Sequence, residues 1–259
     1  MRGFGRFDLC AVILMLMFSG GISVQAATIN FTTAPTLAEG DANIGFPFNT
    51  SYFTRNSMRY QQVFDVSSFG KIPMNGEIVG IAFRVDGLVG ESFDATLQLQ
   101  IDLSTVASGV RRLDATFSNN IGVDDKKVFE GKVRLASTAR RDQNSKTMPF
   151  DVVIDFNTPF VYRGGNLLLD IRNFSGGRTS QLDGMFAPGN ALTRVYSFDV
   201  NASQASVRDN SGLIAQFKVQ TFNAPLPGPL GLMFAPLTWL VCRHRRRHEG
   251  RSQDSILAQ

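Results

Sequence analysis

Apolar and polar residues alternate one by one along several stretches of this chain, and that period of two constrains the fold more than any other feature. The stretch FDVVIDF, residues 150–156, places four apolar side chains on one side and both aspartates on the other. Successive side chains of a β-strand point to opposite faces, so this pattern predicts a strand with one face in a core and the other in water. The same alternation occurs in ATLQLQID, NLLLDIRN and AQFKVQ, which are residues 95–102, 166–173 and 215–220.

Short segments rich in turn-forming residues separate these candidate strands. Such segments lie at residues 73–76, 119–125, 164–166, 175–178 and 188–189. About ten short strands with polar turns between them, and no stretch with a helical period, predict an all-β fold. We therefore expect an antiparallel β-sandwich of jelly-roll type. Residues 34–59 are the least regular part and are expected to form a long loop.

The first 26 residues have the layout of a secretory signal peptide. Two basic residues precede an apolar run at residues 9–18, and Val24-x-Ala26 forms a small-residue cleavage site. We expect a signal peptidase to cleave after Ala26. An uncleaved membrane helix is the alternative, but the apolar run is too short for a hydrocarbon core of about 30 Å.

The C-terminal stretch PLPGPLGLMFAPLTWLVCRHRRRHEG, residues 225–250, predicts a short membrane anchor. Its apolar part, residues 230–242, is expected to be a helix, although it is shorter than a usual membrane span and Pro236 interrupts it. The basic cluster at residues 243–247 should stay on the cytoplasmic side, together with a tail at residues 248–259. The four arginines expected to stop membrane transfer are Arg243, Arg245, Arg246 and Arg247.

The predicted ectodomain, residues 27–222, lacks several kinds of catalytic group. Both cysteines and both histidines lie outside it, so a disulfide, a thiol nucleophile and a histidine-based triad are excluded there. Two of the 26 Lys and Arg residues precede the cleavage site and five follow residue 242, which leaves 19 basic residues against 19 acidic ones. A neutral domain gives no indication of the basic face that binds nucleic acid, and we expect no nucleic-acid partner.

The order of these parts resembles the PEP-CTERM class of bacterial surface proteins. The stretch APLPGPLGL looks like the variant in which P-L-P replaces P-E-P, and the resemblance in the tail covers residues 223–247. RYQQVFDVSSF and GNLLLDIRNFSGG also look like stretches of exported domains that carry such tails. The resemblance implies passage through the inner membrane and recognition by an exosortase, a membrane protease. The cut would fall near the motif Pro225, Leu226 and Pro227, and the ectodomain would reach the cell surface or the extracellular polysaccharide matrix.

Paired carboxylates are the one route to hydrolysis that this composition leaves open. Asp151 and Asp155 share a strand face, but four residues at about 3.3 Å each separate them by roughly 13 Å. Glycosidase carboxylates lie about 5 to 9.5 Å apart, so we interpret this pair as solvated surface charges. We therefore expect the ectodomain not to be an enzyme and to need no cofactor.

Two weaker ligand sites can be proposed from local composition. Asp124 and Asp125 could bind calcium together with Asn119 or Asn120, because calcium takes several oxygen ligands from loops. A plain polar hairpin turn is the alternative for that segment. The set Tyr60, Gln61 and Gln62 could contact a sugar, with the ring stacked on the saccharide and the amides on its hydroxyls. The alternative is a tyrosine at the edge of the core.

Two functions remain open from the sequence. The first is a non-catalytic surface or matrix protein, which is exported, processed and sorted through its C-terminal segment. The second is a carbohydrate-binding module, or a degenerate polysaccharide hydrolase, anchored at the cell surface. A concave groove with exposed aromatic rings would favour the second function.

Overall fold

Thirteen β-strands make up almost all of the regular structure in the described part of the chain. The computed structural model describes residues 25–33, 38–51, 54–69, 72, 75–106, 112–141, 147–186 and 192–223. The strands are β1 Gln25–Thr32, β2 Ala42–Ile44, β3 Met58–Phe64, β4 Gly76–Phe83, β5 Phe93–Val106, β6 Lys126–Ser137, β7 Val152–Tyr162, β8 Asn166–Asn173, β9 Leu182–Phe186, β10 Leu192–Ser197, β11 Val207–Asp209, β12 Ser211–Leu213 and β13 Ala215–Asn223. The described residues also include two 3-10 helices, Val66–Phe69 and Phe117–Asn120.

The strands form three sheets whose mapped pairings are antiparallel. One sheet has four strands in the order β1-β13-β4-β7, and a second has six in the order β11-β10-β3-β8-β5-β6. A third, small sheet has the order β12-β9-β2. The predicted all-β fold is therefore confirmed, and its strands pack as one compact unit, Ala27–Thr221.

The main core lies between the four-stranded and six-stranded sheets. Side chains from β4, β7 and β13 pack there against side chains from β5 and β8. Every residue that the period of two assigned to the interior of β5, β8 and β13 is buried: Leu97, Leu99, Ile101, Leu167, Leu169, Ile171, Ala215, Phe217 and Val219. Phe64 and Phe217 meet edge to face across this core, with ring centroids 5.4 Å apart. Local alternation thus identified the inner face of these strands correctly.

Strands β3 and β8 are buried on both faces, which simple alternation did not predict. Every residue of β3 is buried, and in β8 only Arg172 is partly exposed. The outer face of these two strands packs beneath the segment 112–121, where Leu113 and Phe117 form one buried cluster with Val63 of β3 and Leu168 of β8. A segment from elsewhere in the chain therefore covers a sheet face that the pattern alone would leave in water.

Both terminal segments of the chain lie outside the described residues. The predicted signal peptide lies in residues 1–24, apart from Gln25 and Ala26 before the cleavage site. The sorting segment and the basic cluster at 243–247 lie in residues 224–259, apart from Asn223. The described ranges contain no helix with the length and apolarity of a membrane span.

Candidate functional site

Three loops meet at one end of the sandwich and enclose a cleft of about 540 Å³. They are the turn before β3, the loop between β4 and β5, and the loop between β8 and β9. We call this feature the loop cleft. Its lining residues are Asn49, Ser51, Val89, Glu91, Arg178, Thr179, Ser180 and Gln181. A volume of this size is within the usual range of small-ligand pockets.

The turn before β3 is tied to the loop after β8 and to the end of β8 by one backbone and one side-chain hydrogen bond. The Ser51 amide donates to the Gly177 carbonyl at 3.0 Å. The buried amide of Asn173 donates to the Pro47 carbonyl at 2.9 Å. Since both bonds join segments more than 120 residues apart in sequence, they fix one wall of the loop cleft against the other.

Two glycines allow these walls to approach closely. Gly176 has a φ of +67°, a backbone angle that residues other than glycine rarely adopt. A Cβ on Gly177 would lie 2.4 Å from Leu97 Cδ2 and 2.7 Å from the Phe48 carbonyl oxygen. The glycine pair that the sequence marked as a tight turn therefore shapes the loop cleft.

Side chains hold the loop between β4 and β5 by its amides. Asp86 Oδ1 accepts from the amides of Leu88 and Val89, at 2.9 and 2.8 Å. The Gly87 amide donates to Glu39 Oε1, and the Glu91 amide donates to Ser180 Oγ, both at 2.6 Å. Four amides in five consecutive residues are thus anchored, and the loop carries Val89 and Glu91 to the cleft as a fixed surface.

A buried ion pair lies behind this loop. Arg84 Nε donates to Asp183 Oδ2 at 2.6 Å, and Asp183 Oδ1 accepts from the Gly40 amide at 3.0 Å. The Arg84 guanidinium also donates to the Ala38 carbonyl and lies 4.9 Å from the ring centroid of Phe150. Burial raises the pKa of Asp183, although Arg84 and the Gly40 amide act in the opposite direction.

The carboxylates of Glu39, Asp86 and Asp183 offer oxygens that lie within 4.8 Å of one another. Within the described residues this is the one set of three such groups spaced to hold a metal ion. Arg84 already supplies a positive charge to Asp183, and the other two carboxylates accept backbone amides. These contacts hold the loops around the cleft, while Glu39 Oε2 is buried and has no partner within the described residues.

Two polar atoms in the loop cleft have no partner within the described residues. They are Asn49 Oδ1 and Thr179 Oγ1, and both are buried. Asn49 is 8% exposed and Thr179 is 9% exposed. Buried polar atoms are nearly always hydrogen-bonded, so two such atoms lining one cleft distinguish it from the rest of the surface.

Asp124 and Asp125, which the sequence predicts as calcium ligands, lie in the turn before β6. Asp124 Oδ1 accepts from the Thr105 amide at 2.7 Å and so ties the turn to the end of β5. Asn120 Oδ1, the atom that would bind calcium, accepts from the Asp114 amide at 2.7 Å, and its side-chain amide donates to Gln61 Oε1 and to the Asp114 carbonyl. The close carboxylate set lies instead around Asp183, in a different part of the domain.

Asp125 nonetheless titrates unusually. Loss of solvent around the carboxylate raises its pKa to about 6, and the neighbouring carboxylates of Asp102, Asp170 and Asp124 add to the effect. Burial likewise raises the pKa of Asp102. Several carboxylates therefore lie close together here, although the domain as a whole has no net charge.

The proposed sugar contact at Tyr60, Gln61 and Gln62 is wrong in its placement, because all three side chains are fully buried. Tyr60 donates its hydroxyl to Gln62 Oε1, and Gln62 bonds to both the amide and the carbonyl of Leu213. Burial raises the pKa of Tyr60. The alternative that the sequence left open, a tyrosine at the edge of the core with its hydroxyl in water, is also wrong, because the whole side chain is buried and the hydroxyl bonds to Gln62.

Gln61 belongs to a buried polar network on the outer face of the six-stranded sheet. Its amide donates to Asp170 Oδ2 at 2.7 Å and to the Phe117 carbonyl. Arg59 makes two hydrogen bonds to Asp170, and its guanidinium lies 4.5 Å from the Phe117 ring centroid. The network attaches the segment 112–121 to the sheet, and its side chains are too buried to contact a sugar.

Asp151 and Asp155 differ in their surroundings. Asp155 is exposed and pairs with Lys218 at 3.0 Å, as expected of a surface charge. Asp151 is half-buried and accepts from the Ser137 hydroxyl, while its Oδ1 is buried without a partner in the described residues. The interpretation of both as solvated charges is therefore correct for Asp155 and wrong for Asp151.

Sequence reasoning missed the loop cleft and its ionic support. Asn49, Thr179 and Arg84 stand in segments without a recognisable motif, and residues 99 positions apart form the buried ion pair. The one available signal was the glycine pair at 176–177, which marked a sharp turn but not what the turn encloses.

No family model, no curated protein and no solved structure matches this chain. The case for its function therefore depends on its own residues.

Proposed function

We propose that this chain is a non-catalytic exported surface or matrix protein. A signal peptide would direct its export, and the C-terminal segment would direct its sorting. The observation that carries the proposal is the order of the parts. The compact unit begins at Ala27, directly after the expected cleavage site, and ends at Thr221, four residues before the proline motif at Pro225. A compact β-domain between two targeting segments could be cleaved from both of them without loss of its own fold.

The two parts of the tail have different proposed roles. Each arginine placed at the centre of a bilayer costs about 2.5 to 3.5 kcal/mol on insertion scales, so the cluster at 243–247 stops transfer by its charge. Pro225 and Pro227 disfavour helix, which leaves an extended backbone at the outer edge of the apolar run for a protease. Recognition by an exosortase-type protease in the inner membrane follows from the resemblance of this segment.

Fractionation of cells that express two sets of variants tests this division. Replacing Arg243, Arg245, Arg246 and Arg247 with neutral residues should release protein into the medium with its tail intact. Replacing Pro225 and Pro227 with alanine should trap the full-length protein in the inner membrane. C-terminal mass spectrometry of each fraction distinguishes the two results. Equal processing of both sets would contradict the proposal.

The non-catalytic part of the proposal is supported by how the acidic residues of the domain are used. Asp155 pairs with Lys218, and Asp183 pairs with Arg84 inside the domain. Asp86 is occupied by loop amides. These carboxylates hold the structure together, which is a poor arrangement for general acid and base chemistry.

A carbohydrate-binding module is the second candidate function, and the loop cleft is the observation that favours it. β-Sandwiches of jelly-roll type, the finer fold proposed for this domain, support lectin domains among other roles. The expected aromatic platform at Tyr60 is absent, so this candidate now depends on polar loop residues. A degenerate hydrolase would need the same cleft to have lost its reacting groups.

A further inference from the structure

The chemistry of the loop cleft points to a class of ligand. Its lining consists mainly of hydroxyl and amide side chains, with Val89 as its one aliphatic member. Glu91 and Arg178 are both exposed and bring one charge of each sign. A phosphate or a polyanion would require a net positive site, and an apolar ligand would require an apolar lining. Neutral polar groups suit a ligand that both donates and accepts hydrogen bonds.

The two buried atoms without partners, Asn49 Oδ1 and Thr179 Oγ1, indicate which groups the ligand should offer. Asn49 Oδ1 accepts a hydrogen bond, whereas Thr179 Oγ1 can donate or accept. An atom of this kind loses its hydration on burial and gains nothing unless a partner arrives. Hydroxyl groups on neighbouring carbons of a sugar ring offer donors and acceptors at short spacing, which matches the demands of both atoms.

The loop at 87–91 adds an apolar contact beside the polar groups. Val89 is 51% exposed and its neighbour Leu88 is 89% exposed. Exposed aliphatic residues at a loop tip are usually free to move, but here Asp86 Oδ1 holds both backbone amides. A surface fixed before binding loses little conformational entropy when a ligand arrives. The C–H face of a pyranose ring fits against such a side chain.

We infer that the loop cleft is a saccharide-binding site, in which the side chains of Asn49 and Thr179 rotate into the cleft to bind ring hydroxyls and Asp86 positions the loop that carries Val89. The bound part of the ligand is a short saccharide unit, since the cleft volume of about 540 Å³ is typical of small-ligand pockets. This inference depends on the second candidate function and is independent of how the protein is sorted.

Binding of the purified full-length chain to an array of neutral and acidic bacterial oligosaccharides tests the inference. Calorimetry with the oligosaccharide that binds best then gives the affinity of each variant. Thr179→Val keeps the shape of the side chain and removes the hydroxyl, and Asn49→Leu removes the amide. Each should weaken binding at least tenfold. Thr179→Val should leave the unfolding temperature unchanged or slightly raised, since its hydroxyl has no described partner to lose.

Thr105→Val is the matched control. The hydroxyl of Thr105 is also buried without a described partner, but it belongs to β5 and does not line the cleft. This variant should bind the oligosaccharide as the unmodified chain does. The inference is overturned if no oligosaccharide on the array is bound, or if Thr179→Val and Asn49→Leu bind normally. C-terminal mass spectrometry of cell fractions reports sorting separately, so failure of this site and failure of the sorting proposal are distinguishable.

Discussion

Arg84 and Asp183 form an ion pair that is almost completely enclosed by protein, with 1% and 0% of their side-chain surfaces exposed. The pair joins the end of β4 to β9, directly behind the loops of the cleft. Charges removed from water in this way are stable only while each has its partner. The pair therefore links the end of β4, β9 and, through the Ala38 carbonyl, the segment before β2.

Removing one partner should be far more damaging than removing both. Arg84→Met leaves a buried carboxylate without its counter-charge and should lower the free energy of unfolding by about 3 to 5 kcal/mol. The double variant Arg84→Met/Asp183→Asn keeps an acceptor for the Gly40 amide and should lose much less than the sum of the single changes. Urea unfolding of the four proteins in this cycle measures the coupling. Additive losses would show that the pair is not coupled.

The Arg84→Met variant should also respond to pH. Burial raises the pKa of Asp183 in the folded protein, so the stability linked to its bound proton is present at low pH and is lost as pH rises through that pKa. Without Arg84 this pKa should rise further. The loss of stability in Arg84→Met should therefore be larger at pH 8 than at pH 4. A loss that is independent of pH would argue against an ionised Asp183.

Asp125→Asn should stabilise the protein above pH 6. The pKa of Asp125 is raised to about 6 from an ordinary value of 3.8, so its contribution to stability is complete below about pH 4 and is lost as pH rises through 6. Asparagine does not titrate and avoids the neighbouring carboxylates. Unfolding temperatures from pH 3.5 to 8 should converge for the two proteins at the acid end.

Asp114→Asn is the control of opposite sign. The Thr116 amide donates to Asp114 and lowers the pKa of its carboxyl, so this group contributes stability that is present at neutral pH and lost as pH falls through its folded pKa. The substitution should therefore lower the unfolding temperature at neutral pH. If both variants shifted in the same direction, the opposite pKa shifts of Asp125 and Asp114 would not be the cause.

Gly177→Ala should destabilise the protein more than Gly131→Ala. Both glycines have similar backbone angles, with φ values of +157° and +146°. A Cβ at position 177 would meet Leu97 and Phe48 at less than 3.0 Å, whereas one at 131 would have no atom within 4 Å. The difference in free energy of unfolding should be about 1 to 3 kcal/mol, as is typical of overpacking. Equal losses would mean that the walls of the loop cleft move apart without resistance.

The fragment 27–222 should fold alone as a β-protein without any disulfide. Its strands close a core between two sheets, and the sequence places both cysteines outside it. Circular dichroism of the purified fragment should show β-structure that a reducing agent leaves unchanged. A helical spectrum, or unfolding on reduction, would contradict the assignment of the compact unit.

Sequence alone was sufficient for features that depend on neighbouring residues. The inner faces of β5 and β13 follow from alternation, because a strand of known phase turns every second side chain to the core. The burial of Tyr60 could not be predicted in this way. It depends on contacts with Phe46 and Tyr196, which come from distant parts of the chain.

The candidate site was beyond prediction for a related reason. Asn49, Glu91 and Thr179 lie on three separate loops, and no local pattern relates them. Gly177 and Asp86 bring these loops together through a close approach and through amide hydrogen bonds, both of which depend on the tertiary fold. The half-buried Asp151 is similar, since Ser137 reaches it from another strand.

The central claim is that this β-domain is exported and cut free of both its targeting segments. Intact-mass spectrometry of the protein from the surface fraction of its native cells tests the claim most directly. The measured mass should correspond to a chain that begins at Ala27 and ends near Pro225 to Pro227. A mature surface protein that retains residues beyond Cys242 would contradict sorting by cleavage, and one that retains residues 1–24 would contradict the signal peptide.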